Sequence, residues 1–155
     1  MGHTFVLQPG EWSFSGDFID AKGERANFEG RTLIRHEHGV WLGESWSQKT
    51  GEPASRFENH YRIEPFAPGA LATSWTCAGT SGRSVGQFVL VEDAMFSCGR
   101  SEDGRNEIVE CLTQLSADRY SGRSLLIRDG VLFLTMSALL IRAGSAGEVA
   151  PDGRP

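Results

Sequence analysis

Few residues in this 155-residue chain could do chemistry, and their spacing decides what kind. Thr32, Glu44, Asn59 and Tyr61 stand at alternate positions in short segments where polar and apolar residues alternate. If those segments are strands with one buried face, all four side chains can enter one interior together with Trp46 and Trp75. A carboxylate inside such a space is costly unless it is paired, solvated or protonated. Polar groups converging among tryptophans therefore read as a ligand site. The same groups also have a plainer use, in which Glu44 hydrogen-bonds Asn59 and Thr32 and ties strands together. Both readings stand at this point.

Other reactive types lead less far. His36-Glu37-His38 is a His-x-His that would put two imidazoles on one face of a strand, as some metal sites require. The adjoining Gly39 reads instead as a solvated hairpin end, so no metal site is expected. Cys77, Cys98 and Cys111 form no C-x-x-C, and their odd number points to a reducing, cytoplasmic compartment. Burial of Cys77 would raise its thiol pKa and leave it inert. Gly79-Thr80-Ser81-Gly82 lacks the strand-to-helix setting of a nucleophile and reads as a turn. Neither G-x-G-x-x-G nor a phosphate-binding loop occurs. The net charge of −5 and the absence of a basic cluster argue against nucleic acid. The longest apolar stretch, Val131 to Ile141, is about half of the ~20 residues a membrane helix needs, so no membrane partner is expected.

The elements that must position these residues are strands. Gly is abundant, 19 of 155 residues, beside nine Phe and four Trp. Alternating segments recur every 8–12 residues between turn signals, the spacing of a sandwich or barrel. Asp129-Gly130 is the strongest hairpin signal. About ten strands follow, with no amphipathic helix of ten residues. Sequential hairpins favour an antiparallel meander that closes to remove its edges. The expected fold is all-β: a single antiparallel up-and-down barrel over 10–142, after an N-terminal extension 1–9 and before a disordered tail 143–155.

The register can be argued for the second to fourth strands of this scheme. Phe57, Asn59, Tyr61 and Ile63 must face inward, because the alternate residues are charged. Val40, Leu42, Glu44 and Trp46 are bulkier than Trp41, Gly43, Ser45 and Ser47, so they too are expected inside. A three-residue turn at Glu37-His38-Gly39 then keeps Phe28, Gly30, Thr32 and Ile34 inside and sets Gly30 opposite Trp46.

Gly10-Glu11-Trp12 fits the G-x-W that opens the first strand of lipocalins, and on this motif and the meander the chain resembles the lipocalin-like (calycin) superfamily. The strand count is closer to fatty-acid-binding-protein and nitrobindin-type barrels. The resemblance implies that Trp12 packs at the closed end against Arg142. It also implies a mouth that takes a small hydrophobic or amphipathic molecule. No His lies beyond His60, so the haem-ligand His of the nitrobindin type has no counterpart and no cofactor is expected.

Two functions follow. The first is a non-enzymatic barrel that binds a hydrophobic or aromatic ligand through Thr32, Glu44, Trp46, Asn59, Tyr61 and Trp75. The alternative is an isomerase- or hydratase-type enzyme that uses Glu44 as general acid or base with Tyr61 or His36. In the last strand, Val131 to Ile141, both faces are apolar. The expected consequence is a homodimer through that strand, with Phe5, Val6 and Leu7 available to cover part of the exposed surface.

Overall fold

The computed structural model describes residues 5–144. A short 3-10 turn, Phe5–Leu7, leads into ten strands: β1 (Gly10–Asp20), β2 (Arg25–Glu37), β3 (Val40–Lys49), β4 (Phe57–Ile63), β5 (Ala72–Gly79), β6 (Gly82–Val91), β7 (Ala94–Ser101), β8 (Asn106–Ser116), β9 (Arg119–Arg128) and β10 (Val131–Arg142). Each pairs antiparallel with its sequence neighbours, and β1 closes on β10 to complete the barrel. Closure removes every free edge. Residues 1–4, and 145–155 of the expected tail, lie outside the described residues.

Tight turns drive the meander. His38-Gly39 and Asp129-Gly130 each place two successive residues at positive φ (45° and 79°, 50° and 78°), the two-residue turn whose twist matches a hairpin. The first of these corrects the expected three-residue loop. Glu37 pairs with Val40, so β2 keeps Phe28, Gly30, Thr32 and Ile34 inside while β3 takes the opposite face from the one expected. Trp41, Gly43, Ser45 and Ser47 point inward; Leu42, Glu44 and Trp46 point outward. β4 then pairs Ser47 with Phe57, Ser45 with Asn59 and Gly43 with Tyr61, keeping its expected inward set.

Interior volume explains the exchange on β3. A small barrel can place large side chains inward only where their neighbours are small. A Cβ on Gly43 would sit 3.3 Å from Tyr61 Cβ and 3.4 Å from Ile34 Cδ1. Trp46 finds cover outside instead, beneath the Arg56 guanidinium at 4.2 Å. Gly30 makes room for Phe14, whose ring would lie 2.3 Å from an added Cβ, and for the Trp46 backbone carbonyl at 2.2 Å, rather than for the Trp46 indole. Trp75 lies over Gly86 and Gly99, each of which would carry a Cβ 2.4 Å from its indole.

The core sits at the closed end. Trp12 is fully buried edge-on to Tyr120, and Arg142, its partner across the β1–β10 seam, holds its guanidinium 6.0 Å from the indole centre. That guanidinium donates to the Pro9 carbonyl at 2.9 Å and would be 3.1 Å from a Cβ on Gly10. Val6 and Leu7 are buried in this core, so the N-terminal turn plugs the floor and does not cover the outer face of β10 as expected. His36 stacks on Trp41 with ring centres 4.5 Å apart and hydrogen-bonds the Leu7 carbonyl through Nε2. It serves the floor, away from any interior acid or base.

Candidate functional site

Above that floor the barrel keeps an open cavity of about 400 Å³. Its wall is largely apolar and aromatic, with Phe14, Phe18, Phe28, Phe57 and Phe88 among the lining residues. Ile108, Leu134 and Met136 complete the apolar part. The mouth is the end where β1 turns into β2 and β3 into β4. Lys49 and Ser55 line it, and Phe57 stands half exposed there.

The polar groups are sparse. Thr32 lines the cavity and donates to Ser45 Oγ at 3.0 Å. Tyr61 lines it as well, edge-on to Trp75 with ring centres 5.5 Å apart. Burial pushes the Tyr61 phenol far above its ordinary value, aided by Cys77, to which it is hydrogen-bonded, and by the charge of Glu110. Burial also raises the Cys77 thiol. Both groups are neutral at physiological pH.

The interior carboxylate is Glu110, which sequence reasoning did not single out. Cross-strand pairing places it in a row that runs round the wall: Phe88, Ser97, Glu110, Ser124, Met136 and Phe18, on β6, β7, β8, β9, β10 and β1. Its carboxyl makes no hydrogen bond or ion pair with another described residue, and desolvation alone pushes its pKa from 4.5 up to about 7. A carboxyl balanced between its two forms near neutral pH can accept a charge-assisted hydrogen bond from a cation. It can also exchange a proton with a bound molecule.

The six residues expected to form the site are therefore divided. Thr32 and Tyr61 come together on the cavity wall. Trp75 faces inward but is buried within the core against Tyr61 and Phe88, with its Nε1 unpartnered. Asn59 faces inward against Gly79, where its Oδ1 would lie 2.3 Å from an added Cβ. Glu44 and Trp46 are on the outer surface; Glu44 pairs there with Arg35 and is unavailable as an interior acid or base. Among the described residues no three His, Cys, Asp or Glu side chains gather as a metal site would require. No helix there is long and apolar enough to cross a membrane.

No protein-family model and no curated protein matches the sequence. Solved structures do match the shape. The S-type phycobiliprotein lyase CPES from Guillardia theta superposes with a TM-score of 0.70 at 11% identity, covering 94% of each chain. Rv2717c from M. tuberculosis superposes with a TM-score of 0.66 at 13% identity, covering 90% of this chain and 96% of its own. At such identities the likeness is one of fold alone, which in this chain is a closed barrel of ten antiparallel strands.

Proposed function

We propose that this protein binds a small hydrophobic or aromatic molecule inside its barrel and performs no catalysis. The observation that carries this reading is the open cavity of about 400 Å³, within the usual size of small-molecule sites and walled largely by apolar side chains, five phenylalanines among them. Thr32 and Tyr61 supply polar contacts on its wall. The neighbour of similar fold is by its name a phycobiliprotein lyase, and a barrel that holds a small molecule is compatible with such a role. Titration with N-phenyl-1-naphthylamine, a neutral fluorescent aromatic, tests the proposal. Saturable enhancement of the probe that is lost in Met136→Trp, which fills the cavity, supports it; unsaturable enhancement that is equal in the variant overturns it.

Two finer points belong to the same reading. The three cysteines are free, which supports a reducing, cytoplasmic location. β10 exposes Val131, Leu132, Phe133 and Leu139, which supports a two-fold dimer through that strand.

A further inference from the structure

The cavity contains an acid without a partner. Glu110 projects from the middle of β8 into the barrel, and no cation among the described residues reaches it. The inward residues on the flanking strands carry no charge: Met95, Ser97 and Gly99 on β7, and Tyr120, Gly122 and Ser124 on β9. Across the cavity Tyr61 and Cys77 are held neutral. Lys49, the one cation among the lining residues, stands at the mouth. Ser97 and Ser124 flank Glu110 on both sides and bring hydroxyl donors beside the carboxylate. An unpaired carboxylate in a largely apolar cavity is a standing cost to the fold, and a bound cation offsets it. Aromatic faces attract the same kind of ligand, because their quadrupole favours positive charge. Anionic and neutral ligands gain neither effect.

Resting on the cavity as a binding site, we propose that the ligand is an aromatic or amphipathic amine. Its protonated nitrogen lies against Glu110 between Ser97 and Ser124, and its apolar body extends among Phe14, Phe28 and Phe57 toward the mouth. Binding draws Glu110 into its ionised form, so affinity for an amine rises with pH up to about 7, while the empty site still holds the proton, and levels off above it.

The full-length protein titrated with 1-naphthylmethylamine and with its neutral isostere 1-naphthylmethanol tests this by calorimetry. The amine is expected to bind at least about tenfold more tightly at pH 8, since a charge-assisted contact inside a largely apolar cavity is worth that much. Its advantage shrinks at pH 6 and disappears in Glu110→Gln, while the alcohol binds parent and variant alike. An alcohol that binds as tightly as the amine, or an amine preference that survives in Glu110→Gln, overturns the amine assignment. The parent protein alone provides the amine-to-alcohol ratio and its pH dependence, so the test does not depend on the variant folding. If N-phenyl-1-naphthylamine still binds saturably while the amine has no advantage, only the assignment fails. If neither naphthyl compound nor the fluorescent probe binds, the cavity reading fails with it.

Discussion

Replacing Glu110 by Gln removes a titration and leaves the shape of the side chain, so stability should show what burial of the carboxyl costs. Burial raises its pKa from 4.5 to about 7 in the folded protein. Between those values the folded chain holds a proton that the unfolded chain has released, so unfolding releases it and stability falls as pH rises. Below the lower value both states are protonated and the group contributes nothing; above the upper value both are ionised and the full penalty is present. A displacement of about two and a half pH units, at about 1.4 kcal/mol for each, amounts to about 3 kcal/mol. Urea unfolding of parent and Glu110→Gln at intervals from pH 4 to pH 8 measures this. The variant should gain on the parent by about 3 kcal/mol across that range, with most of the gain between pH 5 and pH 7. Asp103 and Asp129, whose carboxyls hydrogen bonds hold low at the surface, titrate equally in both proteins and cancel in the difference. A difference that stays flat to within about 0.5 kcal/mol would refute the placement of Glu110 in a desolvated interior.

Three further outcomes follow from the packing. Gly86→Val forces a branched side chain onto the Trp75 indole and should lower stability by about 1–3 kcal/mol in chemical denaturation, with Gly99→Val similar. Leu7→Asp puts a carboxylate into the floor and should lower the melting temperature by well over 5 °C, the loss expected when a buried apolar contact is replaced by an unpaired charge. Leu139→Arg on the outer face of β10 should convert a dimer to a monomer in light scattering without loss of β circular dichroism, and a parent that sediments as a monomer of 16.9 kDa would remove the dimer.

The fold was legible because turns and alternation are local. Phe57, Asn59, Tyr61 and Ile63 could be assigned inward because Glu58, His60 and Arg62 leave no other choice. β3 misleads because bulk is a poor guide to burial there: Val40, Leu42 and Trp46 outweigh Gly43 and Ser45, yet the interior beside Tyr61 and Ile34 has room only for small residues. Glu110 was hidden by a different cause. Counting alternation inward from the Asp129-Gly130 turn crosses an irregularity between Leu132 and Leu134, and counting from the turn after β8 crosses another between Gln114 and Ser116. Each slip exchanges the faces of a strand. The one usable signal was the Trp12–Arg142 pairing at the closed end. Followed round through Leu140, Tyr120 and Gln114, it sets Leu112 and Glu110 inside.

The seam between β1 and β10 also fixes a direction for the whole molecule. The chain enters the wall at Gly10 and leaves it at Arg142, and both points lie at the plugged end, opposite the mouth. A tether, tag or fused partner attached at either side of the seam therefore points away from the ligand's route. For the same reason, Gly10 and Arg142 could be bridged by a short linker and the chain reopened at the Lys49–Arg56 loop. Such a circular permutant would keep all ten strand pairings while placing its new termini at the rim of the cavity, where a reporter would sense an arriving ligand directly.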